Sequence, residues 1–323
     1  MSADDRLVVG IDVGGTKVLG VALDPADPTT VIGEARVPTP EGAAPLLDAM
    51  ADVVRKLGAG HGFGSVGVGI AGLVDRGGVL RIGPNLPGLL DVRVGDELDR
   101  RLGLPVRVDN DATCATWGEH VAGAARGERD ALLVTLGTGI GGGMIADGEL
   151  VRGAHGFGGE VGHMVVDPHG PDCPCGRKGC WERFASGSGL GYLGRAAALA
   201  YRFRRGVELA GEPEAVRGEH VTRAAAEGDA EALAIVDHFA EWVALGIGNL
   251  LAILDSSLVV IGGGLVEAGD LLLEPIQAAL PDRVMAPRQR ADVRVVAAEL
   301  GERAGAIGAA LLGGREAAER RSR

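Results

Sequence analysis

A histidine, three cysteines and a carboxylate lie within residues 163–182, HMVVDPHGPDCPCGRKGCWE. One residue separates Cys173 from Cys175 and four separate Cys175 from Cys180, so a short glycine-bearing loop can turn three thiolates onto one tetrahedral ion. His163 is the predicted fourth ligand. A catalytic zinc keeps one position open for water or substrate. Four protein ligands close the site, so the pattern predicts structural zinc that holds neighbouring residues in place.

A disulfide framework and ordinary burial are the alternative interpretations of these cysteines. Disulfide scaffolds belong to short secreted chains, whereas this one has 323 residues and opens MSADDRLVVG, with no basic segment before an apolar run for export. Buried cysteines are expected in apolar segments, as Cys114 is in DATCATWGEH, and Cys114 is interpreted as core packing. The other three lie among Pro, Gly, Asp, Arg and Lys, which favours the metal.

A second group of candidate residues is Asn110 and Asp111, which follow a short predicted strand in VRVDNDATCATWGEH. One interpretation is a helix N-cap, since Asn and Asp side chains accept hydrogen bonds from the first free amides of a helix. The other is chemical: a carboxylate at the carboxyl end of a strand can hold a hydroxyl and accept its proton as it attacks phosphorus. Both hold if Asn110 caps the helix and Asp111 points outward.

Carboxylates and amides elsewhere in the chain are of the types that bond pairs of adjacent hydroxyls, as a sugar site requires. Glu160 and His163 are three residues apart and share a face only if their segment is helical. Each glutamate alone is equally explained as an exposed charge, but the grouping around the predicted zinc loop favours a sugar site. The predicted sugar-binding residues are Asn85, Asn110, Asp111, Glu160, His163 and Glu182.

Glycine, with 55 residues, concentrates at the ends of predicted strands. Segments 7–24 and 131–148 each predict a hairpin whose bend combines glycine with a threonine. Phosphate oxygens need several backbone N–H donors at close range, and glycine leaves room for them. The predicted phosphate-binding residues at the two bends are Gly14, Thr16, Lys17, Thr138 and Gly139.

A third glycine cluster includes Gly263 and Gly264, between the predicted strand 258–261 and the helical pattern 265–280. A strand, glycines and a helix in this order form a plausible nucleotide site. The chain contains neither GxxxxGK[ST] nor a GxGxxG opening a dinucleotide fold. Tight hairpins chosen for geometry alone are the alternative for any one cluster; three clusters with two matching threonines favour phosphate binding.

Composition restricts the class of protein. A length of 323 residues with 46% hydrophobic content predicts two domains. The net charge of −12 argues against binding to nucleic acid, whose phosphates the overall field repels. Asp255 and two serines interrupt the longest apolar stretch, so no membrane span is predicted and the protein is expected to be cytoplasmic.

The elements that must position these residues alternate between strand and helix, which predicts an α/β fold. Besides the hairpins and 258–261, strands are predicted at 31–37, 66–71, 106–109 and 293–297. Helices are predicted at 43–57, 92–102, 112–125, 187–200, 230–254 and 303–312.

Seven motifs run in a common order over nearly the whole chain: GIDVGGTK at 10–17, PNLPG at 84–88, NDATCATWGE at 110–119, TLGTGIGGG at 135–143, GGEVGHMVVD at 158–167, CPCGRKGCWE at 173–182 followed by ASG, and IGGG at 261–264. With these motifs the chain resembles the bacterial glucokinases of the ROK family (repressor, open reading frame, kinase). The resemblance implies a two-domain actin/hexokinase-like (ribonuclease H-like) fold with an interdomain cleft. The corresponding domains are 1–115 with 303–323 and 116–302.

The resemblance also implies the role of each residue. Asp111 is the expected catalytic base and the sugar-binding set binds glucose. His163 places one ring nitrogen on zinc and the other on a sugar hydroxyl. ATP phosphates meet both hairpin bends, Gly263 and Gly264 lie near the nucleoside, and magnesium is expected through water near Asp12. Positioning and charge neutralisation supply most of the acceleration of phosphoryl transfer.

Other functions within the same resemblance remain open. Repressors of the family add an amino-terminal helix-turn-helix, and only eleven residues precede Asp12 here, so a regulator is not expected. A kinase for fructose, N-acetylglucosamine or N-acetylmannosamine remains an alternative, as does a non-catalytic sugar sensor. Polyphosphate or ADP can replace ATP at a site built from backbone amides. A homo-oligomer, dimer or tetramer, is expected because the resembled kinases commonly form one.

Overall fold

The computed structural model describes residues 7–24, 26–58, 62–290 and 292–322, which form two compact units. Unit 1 comprises Met1–Arg129, Gly143–Gly159 and Glu299–Arg323, and unit 2 comprises Asp130–Gly142 and Glu160–Ala298. These bounds differ from the domains predicted from the sequence. A boundary at residue 115 falls inside the helix Asp111–Ala122, which packs against the carboxyl-terminal helix of unit 1. The predicted domains remain a hypothesis.

Strands β1 to β8 lie in unit 1, and five of them form its main sheet. The strands are β1 Leu7–Val13, β2 Lys17–Asp24, β3 Asp27–Pro38, β4 Phe63–Ile70, β5 Leu73–Val74, β6 Leu80–Ile82, β7 Leu90–Val92 and β8 Val106–Asn110. The sheet order is β3-β2-β1-β4-β8, with β1, β4 and β8 parallel and the β1-β2-β3 meander antiparallel. Strands β5, β6 and β7 form a separate small antiparallel sheet.

Helices cover both faces of the main sheet. Successive side chains of a strand point to opposite faces, and in these strands both faces are apolar. The helices of unit 1 are α1 Ala43–Leu57, α2 Val94–Leu102, α3 Asp111–Ala122 and α10 Ala304–Arg321. On β1, Val9 and Ile11 belong to the core that α1 completes, whereas Val8 belongs to the core that α10 completes. Asp12 lies four positions after Val8, and alternate residues of a strand share a face, so Asp12 lies on the α10 face.

A pair of glycines lets α10 approach the sheet closely. Gly10 on β1 and Gly67 on β4 are partners in the parallel register. A Cβ atom at Gly10 would lie 1.8 Å from the Ala306 carbonyl oxygen, and one at Gly67 would lie 1.7 Å from the Ala309 carbonyl oxygen. The backbone of α10 therefore rests directly on the backbone of the two strands.

Gly67→Ala is expected to lower the free energy of unfolding by on the order of 3 kcal/mol, because the added methyl group meets backbone atoms that have no alternative position. Guanidinium denaturation followed by circular dichroism measures the change. Gly62→Ala is the matched control, since no heavy atom lies within 4 Å of the Cβ position at Gly62. Equal denaturation midpoints for the two variants would contradict the close packing of α10.

A second five-stranded sheet has most of its strands in unit 2, whereas β11 lies in the unit 1 segment Gly143–Gly159. The strands are β9 Ala131–Leu136, β10 Ile140–Ala146, β11 Glu149–Leu150, β12 Leu258–Gly262 and β13 Arg294–Ala297, in the order β11-β10-β9-β12-β13. Strand β12 is parallel to both β9 and β13, and β10 pairs with β11 antiparallel. The division between the units falls within β10.

The helices of unit 2 include one long helix, α8, that is buried on one face. They are α4 Glu182–Ala185, α5 Gly187–Leu199, α6 Arg204–Ala210, α7 Gly218–Ala226, α8 Ala230–Leu254 and α9 Asp270–Ala279. Trp181 is fully buried against α8: its Nε1 donates to the Trp242 carbonyl oxygen at 2.7 Å, and its ring fills the space beside Gly246. The segment that precedes α4 is therefore anchored to α8. No helix in the described ranges has the length and apolar character needed to cross a membrane.

The bounds of α1 and α8 are those predicted, and α2, α3 and α5 begin or end within three residues of the prediction. The predicted helix 303–312 is wrong at its end, since α10 continues to Arg321 along an alanine- and arginine-rich sequence. The pattern 265–280 begins with a short 3-10 helix, and α9 starts only after Gly269, whose φ of 59° interrupts the helix. Helices α6 and α7 and strands β5 to β7 were not predicted.

Candidate functional site

The carboxyl ends of three parallel strands meet at one edge of the sheet of unit 1. Val13 at the end of β1 pairs with Ile70 at the end of β4, and Ile70 pairs with Asn110 at the end of β8. Polar groups that follow such ends are brought together by the register alone. This edge carries the turn after β1 and the start of α3.

Asn110 is the N-cap of α3, as one of the two sequence interpretations predicts. Its Oδ1 accepts from the Thr113 backbone N–H at 2.9 Å. Its Nδ2 donates to the Gly72 carbonyl oxygen at 3.1 Å and to Asp111 Oδ1 at 2.9 Å. One amide side chain therefore caps the helix and fixes the carboxylate of the next residue.

Asp111 and Asp12 form a pair of carboxylates at this edge. Burial raises the pKa of Asp111, although the Ala112 backbone N–H and the Asn110 amide stabilise the charged form. Burial, and then repulsion from Asp111, raise the pKa of Asp12 to about 7, while Lys17 opposes the rise. A carboxylate that gains a proton more readily than usual is suited to accept one from a hydroxyl near neutral pH.

Asp12→Asn is expected to stabilise the protein more at pH 8 than at pH 5. The folded pKa of about 7 lies above the ordinary 3.8, so the folded protein holds this proton more tightly than the unfolded chain, and stability falls as pH rises from 3.8 to 7. The free energy of unfolding falls by at most about 4 kcal/mol over this range. The Asn side chain does not ionise, so the variant avoids this loss. Thermal unfolding at the two pH values in magnesium-free buffer measures it. A gain in melting temperature that is the same at both pH values would exclude the titration of Asp12 as its cause.

The turn after β1 is exposed to solvent at Thr16 and packed against Asn85 at Gly15. The Gly14 N–H donates to the Lys17 carbonyl oxygen at 3.0 Å, and the Thr39 hydroxyl donates to the Gly14 carbonyl oxygen at 2.7 Å. Thr16 is exposed. A Cβ atom at Gly15 would lie 2.9 Å from the Asn85 carbonyl oxygen, so the predicted sugar ligand Asn85 lies directly against the predicted phosphate turn.

Lys17 is already paired with a carboxylate. Its Nζ lies 2.5 Å from Glu302 Oε2, and the guanidinium of Arg36 contacts the other oxygen of the same carboxylate. The Lys17 side chain is one-third exposed and that of Glu302 about half, so water weakens the pair. A phosphate contact by Lys17 requires exchange of this partner. Sequence reasoning missed Glu302, which is 285 residues away from Lys17 and carries no motif.

The predicted zinc ligands of unit 2 lie together. The nearest ligand atoms of His163, Cys173, Cys175 and Cys180 all fall within 4.8 Å of one another. His163 Nδ1 is 3.7 Å from Cys173 Sγ, and Cys175 Sγ is 3.5 Å from Cys180 Sγ. Zinc–sulfur bonds of about 2.3 Å and zinc–nitrogen bonds of about 2.0 Å give tetrahedron edges of roughly 3.5–3.8 Å. The donor set and its spacing fit a closed tetrahedral zinc site.

A tight loop brings the cysteines to this spacing. The Gly176 N–H donates to the Cys173 carbonyl oxygen at 3.0 Å, and the Cys173 N–H donates to the Arg177 carbonyl oxygen at 2.8 Å. Gly176 has a φ of 88°, which a residue with a Cβ atom rarely adopts. Arg177 also donates from Nη2 to the His163 carbonyl oxygen at 2.7 Å, which ties the histidine to the loop.

The thiols differ in acidity. Burial raises the pKa of Cys173. For Cys175, burial acts in the same sense, but hydrogen bonds from the Arg177 backbone and from Cys173 lower the pKa to about 6. A divalent cation bound at this site would supply the charge that stabilises three thiolates at such short separations.

Glu160, His163 and Glu182 converge around the same loop. Glu160 precedes a 3-10 helix, Val161–His163, and its Oε2 lies 3.9 Å from His163 Nε2. Glu182 Oε1 lies 3.6 Å from His163 Nδ1 and 3.1 Å from Cys173 Sγ. The two nitrogens of His163 therefore face different groups: Nδ1 faces the cysteines and Nε2 faces Glu160.

The turn after β9 carries the other predicted phosphate residues. The Gly137 N–H donates to the Gly139 carbonyl oxygen at 3.0 Å, and the Ser188 hydroxyl donates to the Thr138 carbonyl oxygen at 2.8 Å. Gly263, with a φ of 82°, packs beneath Leu136, where a Cβ atom would lie within 2.6 Å of the backbone. Within unit 2, the structure therefore places the glycines after β12 beside the end of β9, and Gly264 begins the following 3-10 helix.

The ROK family model matches residues 8–316 of the chain. The chain is 37% identical over 308 residues to a glucokinase of Streptomyces coelicolor, an alignment that covers 94% of this chain and 96% of that protein. It is 35% identical over 309 residues to an N-acetylmannosamine kinase of Salmonella typhi, covering 94% of this chain and 97% of that protein.

A solved structure with a similar fold is that of a ROK family glucokinase from Streptomyces griseus in complex with glucose and AMPPNP. Its TM-score is 0.85 and its sequence identity 35%, over 96% of this chain and 99% of that one. The similarity therefore extends through both units and all the motifs.

Proposed function

This chain belongs to the ROK family, and on that premise we propose that it transfers the γ-phosphoryl group of ATP to the 6-hydroxyl of glucose. It is a sugar kinase, a phosphotransferase, with the two-domain α/β fold of actin and hexokinase. The predicted fold class and the predicted type of enzyme are therefore confirmed. The identity of the sugar and the role of each residue belong to the proposal.

Asp111 is the proposed general base, and its placement is the observation that carries the proposal. The carboxylate stands at the carboxyl end of β8, is fixed by the Asn110 amide, and has a raised pKa because it is buried. It accepts the proton of the 6-hydroxyl while that oxygen forms a bond to the γ-phosphorus and the bond to ADP breaks. Glucose 6-phosphate and ADP are the products.

The phosphate chain is proposed to bind at the glycine turns, where the absence of side chains lets phosphate oxygens approach the backbone closely. In unit 1 the turn offers Gly14, Thr16 and Lys17, and Lys17 exchanges Glu302 for a phosphate. Gly263 and Gly264 of unit 2 are the proposed nucleoside contacts, with Thr138 and Gly139 as phosphate contacts. Magnesium neutralises phosphate charge when it is bound. Asp12, beside Asp111, is the residue proposed to hold its water.

Asn85 and Asn110 of unit 1, and Glu160, His163 and Glu182 of unit 2, are the proposed glucose ligands. Their amide and carboxylate oxygens suit pairs of adjacent hydroxyls. Zinc bound by His163 Nδ1 and the three thiolates leaves Nε2 available for a sugar hydroxyl and fixes the ring tautomer. The metal's proposed role is structural, because four protein ligands complete its coordination.

A coupled assay for ADP release tests this function with glucose, mannose, fructose, N-acetylglucosamine and N-acetylmannosamine. We expect the highest kcat/KM for glucose with ATP. A kinase for N-acetylmannosamine is the second candidate, favoured by the 35% identity to such an enzyme over 94% of the chain. A higher kcat/KM for an acylated hexosamine would replace glucose as the substrate, and no turnover of any sugar would favour the sensor.

The same assay with polyphosphate or ADP in place of ATP tests the phosphoryl donor. We expect turnover with ATP alone. A role in glycolysis, a cytoplasmic location and a dimeric or tetrameric assembly stay predictions.

A further inference from the structure

The Glu302 carboxylate joins two cations of unit 1 that lie far apart from it in the sequence. Its Oε2 lies 2.5 Å from Lys17 Nζ, and its Oε1 contacts the guanidinium of Arg36. Hydrogen bonds from Lys17 and then from Arg36 hold the pKa of the Glu302 carboxyl below its ordinary value. One anionic group is therefore held between two positive charges.

The register of the β1-β2-β3 meander brings these groups together. Leu19 of β2 is opposite Asp12 of β1 and Arg36 of β3, so the three residues form one row across the sheet. Leu19 belongs to the core that α10 completes, and Lys17, two positions earlier, lies on the same face. Glu302 lies in the short 3-10 helix that immediately precedes α10. The cations of the sheet and the start of α10 therefore meet on one face.

The same row includes the proposed phosphate site. Burial and then Asp111 raise the pKa of Asp12, and the charge of Lys17 opposes the rise. The start of α10 also lies against Asp12, since a Cβ atom at Gly305 would be 2.8 Å from Asp12 Cγ. Neighbouring strands are about 4.8 Å apart, so the backbone of Arg36, two strands away, lies about 10 Å from that of Asp12. A phosphate chain and the long side chain of an arginine together cover such a distance.

The Glu302 carboxylate is bound in a way that suits exchange for a phosphate. Lysine, as a point charge, and arginine, as a planar fork, bind carboxylate and phosphate oxygens alike. The side chains of Lys17, Arg36 and Glu302 are one-third to one-half exposed, and exposed ion pairs are weak. Glu34 lies 3.8 Å from Arg36 but is paired more closely with Arg303, at 2.7 Å. A phosphate, with more charge and more acceptor oxygens, is therefore expected to displace Glu302.

We propose that Arg36 is a second phosphate-binding residue, and that the Glu302 carboxylate competes with the nucleotide for Lys17 and Arg36. When the phosphate chain displaces Glu302, both cations bind its oxygens and the carboxylate turns into solvent. The proposal rests on the proposed function, which supplies the nucleotide and its contact with Lys17. Arg36 lies outside the seven motifs of the sequence.

Opposite effects of two substitutions test the proposal. Isothermal titration calorimetry of the purified full-length protein gives the Kd for AMPPNP with magnesium and, as an uncharged reference, for adenosine. We expect Arg36→Met to raise the Kd for AMPPNP about fivefold, because a phosphate contact is lost, and Glu302→Gln to lower it about threefold, because no ion pair has to break. The Kd for adenosine should not change in either variant, since adenosine carries no phosphate.

Matched control variants come from the same unit. Arg55→Met removes an exposed arginine of α1 that pairs with Asp52, and Glu149→Gln removes an exposed carboxylate that pairs with Arg315. Each control should leave the Kd for AMPPNP within about twofold of the wild type, because water and salt screen distant surface charges. A shift in Arg55→Met equal to that in Arg36→Met would assign the effect to net charge and overturn the role of Arg36.

The double variant separates a phosphate contact from support of Glu302 alone. If Arg36 binds phosphate, Arg36→Met raises the Kd for AMPPNP about fivefold in the Glu302→Gln background as well. If Arg36 acts only by holding Glu302, Arg36→Met has no effect in that background, and the proposal is overturned. An unchanged Kd in Glu302→Gln alone overturns the competition by the carboxylate.

Failure of this proposal and failure of the proposed function give different results. If the wild type phosphorylates glucose with ATP while Arg36→Met binds AMPPNP as the wild type does, the second phosphate contact fails and the function stands. If the Kd values shift as expected but no sugar is phosphorylated, the phosphate contact stands and the kinase proposal fails.

Discussion

Asp111→Asn is expected to reduce kcat for glucose phosphorylation by on the order of 1,000-fold, within the range that removal of a general base produces. The amide keeps an oxygen that accepts from the Ala112 N–H, so the start of α3 stays intact. It cannot accept the hydroxyl proton. Because burial makes the charged form of Asp111 costly, the variant should be as stable as the wild type or more so.

The coupled assay and a thermal unfolding curve measure the two effects together. Asp99→Asn is the matched control: it removes one negative charge from an exposed position on α2 in the same unit. We expect full activity in the control and an unchanged zinc content in both variants. Turnover of Asp111→Asn within about threefold of the wild type is far outside the expected range and would remove Asp111 from the mechanism.

Cys175→Ser is expected to purify with little or no zinc and to lose most of its affinity for glucose. The serine hydroxyl is a poor replacement for a thiolate, and structural zinc contributes folding free energy directly, with apparent values of about 10–16 kcal/mol in small zinc domains. The loop between Cys173 and Cys180 supports Glu182, so its disorder should raise KM for glucose more than it lowers kcat.

Elemental analysis and steady-state kinetics measure these effects. Cys114→Ala provides the control, since Cys114 is a buried cysteine outside the cluster and should retain one zinc per chain. A normal zinc content in Cys175→Ser would contradict the four-ligand site. A normal glucose KM in a zinc-free protein would instead separate the metal from sugar binding.

The sequence was most informative where the signal is local. Helices α1 and α8 have the predicted bounds because apolar residues recur at helical spacing over a long segment. The cap by Asn110 was predicted because Asn directly precedes a helical pattern. The clustering of the predicted zinc ligands follows from the sequence because three of the four lie within eight residues, a spacing that few other structures explain.

The contacts that the sequence did not predict join distant residues. The pairing of Lys17 with Glu302 spans 285 positions, and neither residue type is unusual on a surface. The contact between Gly139 and Glu182 depends on a turn and a loop whose separate patterns predict phosphate and metal binding, but not that they touch. Such contacts follow from tertiary packing, which hydrophobic periodicity does not encode.

The glycine pair beneath α10 has a consequence for biosynthesis. Gly10 is synthesised almost 300 residues before Ala306, whose carbonyl rests on it. Until then the apolar face with Val8 and Leu19 lacks the cover that Ala306, Ile307 and Ala310 provide. Nascent chains ending before residue 304 are therefore expected to depend on chaperones, because β1 and β2 complete their packing only when α10 has been made.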